Sequence, residues 1–419
     1  MKAISVLLAS QGSINKDAFA SSDSVLFDSP WLSLAGKGLI SRFDPHEAEK
    51  YLSSIPCDNQ VGLPGSGVVA FGALPFELGQ PGQMAIFRTT FGQDKTGNRW
   101  ITLVLEDHES IPNSLEIKKN ADESLLDLAH KQNTNSPCQY RVFESSGYQD
   151  SVKKAIGAIK SKKIEKVVLA RRLDLSFTNP IDPPAIISRL CSQEPACTTF
   201  SFPSLDGLFL GASPELLVSI RANNLVCRPL AGTVGLNGDQ LEDKKAISEL
   251  TASAKDHVEH QYVVDEIVRT LRPLCSSFYV SNSPSPVKFH SVAHLETTLE
   301  GTLCEELSVV EVLVRLHPTP AVGGVPRLEA LELIAELEPG ERGLWGGPVG
   351  WVDANHNGDW VVGIRSMVLA PNCLSARVLA GAGIVEHSDP ESEFKETTLK
   401  LAPILDAIVP SASIQEDNI

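Results

Sequence analysis

What this chain lacks narrows its class before any motif is read. No apolar run approaches the roughly 18 residues needed to span a bilayer, so no membrane partner is expected. The eight cysteines include no C-x-x-C pair. That argues against a zinc site and a disulfide framework, and leaves reduced thiols in a cytoplasmic protein as the expectation. Cationic excess is also missing: 36 Lys and Arg against 52 Asp and Glu leave a net charge of −16. Nucleic acid is a poor partner for such a chain, and an anionic substrate needs local cations or a metal to overcome the global field. Lys2 and the apolar run 3–9 imitate a signal peptide only in outline. The run is short and its cleavage context poor, so a first strand is expected there. There is no internal repeat and no low-complexity tract.

What is present fits a soluble globular protein. Its 419 residues suffice for two average domains or one large body, and 42% apolar with 21% charged residues is ordinary. Short β-like runs at 4–8, 67–71, 84–87 and 100–105 alternate with Gly/Pro turns. Residues 107–139 are polar, with one amphipathic helix expected around 124–130. Pattern density rises after residue 145. A helix over 148–162 leads into a strand over 166–173, and strands follow at 198–202, 208–213, 215–220 and 224–229. Residues 239–272 read as one long helix stopped by Pro273, and 326–337 as a second. The segment 354–358 joins two β-rich runs as a hairpin. A further strand, 375–380, precedes the last helix, 390–404, and residues 411–419 read as a disordered tail. Strands on short turns with a few long helices indicate an α+β body with large antiparallel sheets.

Chemistry-bearing residues concentrate in the second half. Residues 380–386 (AGAGIVE) read as a small-residue turn whose backbone N–H groups can receive a carboxylate or phosphate. In the helix that follows, Glu393, Glu396 and Lys400 share one face at i, i+3 and i+7. Beside that turn the spacing suits a metal-assisted site for an acidic small molecule, although taken alone its usual fate is a solvated charged helix face. Asp256 and Glu259 form a second i, i+3 pair. Two helices each presenting two carboxylates would hold a hard cation, Mg²⁺ rather than Zn²⁺. His257 and His260 are read as capping or packing histidines. Lys166 leads an apolar strand: it marks the solvent end of that strand, or, if desolvated, serves as a general base. Glu215 sits at a strand turn among apolar neighbours, where a raised pKa suits a proton donor.

Eight ordered segments carry a resemblance. They are 166–171 (KVVLAR), 211–217 (GASPELL), 229–233 (PLAGT), 256–260 (DHVEH), 316–326 (LHPTPAVGGVP), 346–352 (GGPVGWV), Ile364-Arg365 and 380–386. Together with 68–77 (VVAFGALPFE), they resemble the chorismate-utilising enzymes, and within them the isochorismate synthases, from about residue 65 to Leu405. The resemblance implies a single α+β domain over 1–419, with a less typical β-rich part (1–145) and a catalytic core (146–408). Two large antiparallel sheets would pack together with helices outside and a deep cleft. It implies conversion of chorismate plus water to isochorismate, with Mg²⁺ as cofactor.

The same resemblance assigns roles. Lys166 matches the general base and Glu215 the general acid. Glu259 and Glu396 match direct metal ligands, with Asp256 and Glu393 direct or through water. Arg365 and Gly381-Ala382-Gly383 match the hold on the enolpyruvyl carboxylate, and Lys400, Gly232, Thr233 and His294 line the cleft. For Gly232 and Thr233 a plain strand-end turn is the competing reading. Ala321 stands where salicylate synthases carry Thr, and Ala231 where aminodeoxychorismate synthases carry a nucleophilic Lys. Asp256 and Trp345 are departures, since relatives often have Glu and Tyr or Phe there. Relatives of this kind need no glutaminase partner, and a monomer is expected. The competing readings are a salicylate synthase and a non-catalytic chorismate-binding relative.

Overall fold

The computed structural model describes residues 1–8, 13–127 and 139–408. Among them, the expected antiparallel, helix-covered α+β architecture is present. Twenty strands are hydrogen-bonded into one continuous network, and three more form a small separate sheet. The first strand, Lys2–Leu7, pairs with Arg99–Leu105, which in turn pairs with the long strand Gln83–Asp94. Helix Ser114–Asp127 begins ten residues before the one expected in this region. Residues 128–130 and the tail 411–419 lie outside the described residues. No helix among the described residues is long and apolar enough to cross a membrane.

Two long strands carry the cleft. Lys166–Phe177 and Ser375–Ile384 run antiparallel over ten paired positions, from Ser176 opposite Ser375 to Val167 opposite Ile384. Both are buried along most of their length because β-branched and leucine side chains face apolar layers on either side. The apolar face that includes Val167, Leu169, Ala382 and Ile384 belongs to the largest core cluster. The opposite face at this end is the cleft.

Residues 239–272 form two helices, not one. Gln240–Ala252 ends at Ser253, whose extended backbone starts Ala254–Leu271 and whose hydroxyl accepts the Asp256 N–H at 3.3 Å. A serine that offers the backbone a cap competes with helix continuation, and here the cap wins. The break re-aims the second helix, which buries His260, Val263, Val264, Ile267 and Leu271 and leaves Val258 exposed. The final helix, Pro390–Ile408, buries Glu393, Thr397, Leu401 and Ile404, a stripe at near-helical period. Glu393 thus lies on the buried stripe, while Glu396 and Lys400 flank it half-buried.

Candidate active site

The small sheet brings one wall of the site. Its strand Leu230–Gly235 pairs with Val292–Glu296, setting Thr233 opposite His294. The register slips between Ala231 and Thr233, and Gly232 in that bulge has φ +71°, a left-handed conformation that favours glycine. A Cβ at Gly232 would also lie 3.0 Å from the Cβ of Asp256. Gly232 therefore does more than end a strand: it lets the helix bearing Asp256 approach.

A cleft opens between this sheet and the two long strands. Lys166, Glu215, Glu259 and Lys400 line it. So do Gly232, Thr233, His294 and Arg365 on one side, and Ala321, Trp345, Gly381 and Gly383 on the other. Twelve residues singled out across 235 positions of sequence thus meet in one space. Ala382, Asp256, Glu393 and Glu396 are not in its lining, and the Ala382 side chain is buried on the opposite face of its strand, in the core. Alternation along a strand requires this, since Gly381 and Gly383 face the cleft.

The AGAG segment is a strand, not a turn. Gly381, Ala382 and Gly383 sit opposite Ala170, Leu169 and Val168 in the ladder. Glycine serves here as space. A Cβ at Gly383 would lie 2.0 Å from Glu259 Oε1 and 3.1 Å from Lys166 Cε. The Gly381 carbonyl accepts from Lys400 Nζ at 3.0 Å, so the backbone edge of Gly381 faces the cleft and not its ladder partner.

Lys166 is almost wholly enclosed, and its Nζ stands 3.2 Å from Glu259 Oε1. It does not mark the solvent end of its strand. Glu215 is fully buried, and desolvation pushes its carboxyl up to about 8 against the pull of Lys166, the Leu230 N–H and Lys400. It is therefore a neutral acid at pH 7.

Arg365, with φ +49°, leaves the sheet to reach this cleft. Its Nη2 donates to His294 Nε2 at 2.7 Å, and its guanidinium stacks 5.0 Å from the Phe289 ring. His294 Nδ1 donates to the Gly232 carbonyl at 3.0 Å. Burial, Arg365 and Lys400 hold this imidazole neutral, well below the usual histidine range. Behind Arg365 lies a buried carboxylate that sequence reasoning missed, Glu194, with Oε2 4.0 Å from Nη1. No motif marks it. The bland readings of the other two histidines hold: His257 Nε2 meets the Thr251 carbonyl at the preceding helix end, and His260 packs on Thr297 at 2.6 Å.

For a hard divalent cation the donor chemistry is right, since Asp256, Glu259, Glu393 and Glu396 offer oxygen alone. Burial and the Glu396 charge raise the pKa of Glu393, and Lys255 feels Glu393, Glu259 and Glu396 together. Three carboxylates thus surround one ammonium. Each is turned to a lysine: Glu259 to Lys166, Glu396 to Lys400 at 2.7 Å, Glu393 to Lys255 at 3.1 Å. In that arrangement no three His, Cys, Asp or Glu side chains among the described residues stand as a ready-made cage. Lys255 was not foreseen from sequence, although it adjoins Asp256.

This fold and cleft bring a fully buried carboxyl, Glu215, and an enclosed lysine, Lys166, into one space. Residues 43–409 match the family model described as chorismate binding enzyme, and the chain belongs to that family. It is 31% identical over 388 residues to isochorismate synthase EntC of Escherichia coli (strain K12), covering 90% of this chain and 93% of that protein. Isochorismate synthase MenF of Bacillus subtilis (strain 168) is 33% identical over 320 residues, 76% of this chain and 67% of that one. Among solved structures, a putative 2,3-dihydroxybenzoate-specific isochorismate synthase, DhbC from Bacillus anthracis, superposes with a TM-score of 0.78 at 28% identity, covering 94% and 99% of the two chains.

Proposed function

We propose that the protein is an isochorismate synthase, converting chorismate and water to isochorismate for menaquinone or siderophore biosynthesis. The observation that carries this reading is the pairing, in one cleft, of a carboxyl kept neutral at pH 7 (Glu215) with an enclosed lysine (Lys166). Water adds at C2 of the ring while the C4 hydroxyl departs and the double bonds shift between them. Lys166 Nζ is the general base that takes the proton of the attacking water. Glu215 gives its proton to the departing hydroxyl, so the reaction consumes and releases one water and the two groups end one proton apart from where they began. General acid and base steps of this kind typically contribute 10²–10⁴-fold each.

Arg365 offers the side-chain carboxylate of the substrate a planar fork, oriented by His294 and Phe289. Gly381 adds an open strand edge beside it, and Lys400 is anchored on that edge. Glu259 and Glu396, with Asp256 and Glu393 behind them, would hold Mg²⁺. When bound, the ion offsets the acidic cluster and fixes the ring carboxylate of the substrate.

A salicylate synthase is less favoured because Ala321, which lines the cleft, places a methyl group where those relatives carry a hydroxyl. Purified protein with chorismate and Mg²⁺, its products resolved by chromatography, tests the reading. Isochorismate without free pyruvate until an isochorismatase is added is the expected outcome. Salicylate and pyruvate from the protein alone would overturn it.

A further inference from the structure

The lysine on Glu393 differs from the other two at the acidic cluster. Lys166 is 1% exposed and cannot leave. Lys400 is held by both Glu396 and the Gly381 carbonyl. Lys255 is 40% exposed, and its Nζ meets Glu393 Oε1 at 3.1 Å while that carboxylate is 2% exposed. It reaches in from the first turn of Ala254–Leu271, just after the Ser253 cap, so its stem spans from solvent to the buried carboxylate.

We propose that Lys255 is the resident counter-cation of the acidic cluster and gives way when a divalent cation enters, so that it sets the concentration at which the site loads. The inference rests on the reading of Glu259, Glu393, Glu396 and Asp256 as the metal site. Three of those carboxylates are each paired with a lysine, and with Asp256 counted the four carboxylates exceed the three ammonium groups by one charge. A divalent cation added beside all three ammoniums would crowd like charges. Exchange for Lys255 brings the cluster to neutrality and leaves Lys166 and Lys400 in place. Lys255 is the most exposed of the three, at 40% against 23% for Lys400 and 1% for Lys166, and so has the easiest route to withdraw. Without the lysine, Glu393 would be a buried carboxylate facing Glu396 unpaired, a costly state that binding of any cation relieves.

Calorimetric titration of Mg²⁺ into the protein without chorismate tests this, so that the readout is independent of turnover. Lys255→Met keeps the apolar stem and removes the charge. It should bind Mg²⁺ roughly two- to fivefold more tightly than the wild type, by analogy with the size of single ion pairs. Its metal-free form should melt at lower temperature and gain more on adding Mg²⁺. Lys255→Arg should keep the wild-type affinity, and Lys255→Gln gives the same charge change should the methionine variant not fold. If the wild type binds Mg²⁺ and both neutral variants bind it equally or more weakly, Lys255 is not a competitor and the inference falls alone. If neither wild type nor variants take up Mg²⁺, the metal reading fails and this inference falls with it.

Discussion

Lys166 Nζ lies 3.2 Å from Oε1 of Glu259, and both belong to the wall of one cleft. Lys166→Met should therefore do two separable things. Turnover should fall by at least about 10²-fold through loss of the base. The melting temperature should drop modestly, because Glu259 is only 13% exposed and loses its partner while the fold stays intact. Steady-state kinetics beside thermal melts check this. Full activity would remove Lys166 from the chemistry.

Glu215 gives a prediction with a sign. Its folded-state pKa of about 8 lies above the ordinary 4.5, so the native state keeps a proton that the unfolded chain releases. This contribution to stability is fully present below pH 4.5 and is lost as pH rises to about 8. Glu215→Gln abolishes that slope. At pH 7 the variant should exceed the wild type by on the order of 3 kcal/mol in unfolding free energy while losing turnover. In the wild type, activity should decline as pH rises through about 8, since the ionised carboxyl has no proton to give. Denaturant titrations of both proteins at pH 5 and pH 8 report the slope directly.

Arg365 tests the hold on the substrate. Arg365→Lys keeps the charge but loses the fork and the stacking on Phe289, so the apparent KM should rise about 10- to 100-fold with a smaller change in kcat. A collapse of kcat at constant KM would mean that Arg365 acts on the reacting atoms and not on the carboxylate. Because His294 is held neutral, no inflection from this imidazole is expected between pH 5 and 8.

Chelation and crowding probe the acidic cluster from two directions. EDTA should silence the enzyme and Mg²⁺ should restore it. Gly383→Ala should mimic part of the loss, since its methyl group would lie 2.0 Å from Glu259 Oε1 and must drive that carboxylate aside. A drop in Mg²⁺ affinity with little change in melting temperature is the expected pattern. Activity that survives both treatments would sink the metal site.

How much of this was legible in the sequence depends on what each residue answers to. The order of strands and helices after residue 145 followed apolar period, a local property. The candidate acid, base and most of the cleft residues were marked by the resemblance, since each alone left a bland reading open, and folding brings them into one space. The break at Ser253 was not legible, because the apolar stripe continues past it and only the cap hydrogen bond to Asp256 decides. The AGAG segment misled for a related reason. Glycine signals both a turn and a close approach, and which applies is set by Glu259, which lies over 120 residues away in sequence. Ala382 was included as a neighbour in a motif, although alternation in a strand sends it to the core. Glu194 and Lys255 had no signal of their own: each is defined by a charge that folding brings to it.

Arg342 carries the last prediction, and it lies outside every segment singled out for chemistry. Its side chain is 1% exposed and forms a buried pair with Glu338 one helical turn back in sequence. Nη1 donates to the Val322 carbonyl at 2.7 Å and Nη2 to the Val168 carbonyl at 2.8 Å. Both of those residues line the cleft, and the guanidinium also packs 5.1 Å from the Trp345 ring. Glu338 Oε1 in turn accepts from the Ala170 N–H at 2.7 Å. One ion pair thus braces the strand that carries Lys166 against the loop that carries Ala321. Arg342→Met strands a buried carboxylate and two carbonyls, and should cost about 3–5 kcal/mol of stability. Adding Glu338→Gln should recover much of that loss, because the uncompensated charge is the larger part of it. It should not recover KM, because the carbonyls of Val168 and Val322 remain without their donor and the cleft wall stays loose. Denaturant titration and KM of the single and double variants separate the two effects. Recovery of both together would show that the pair is a stability element with no hold on the site.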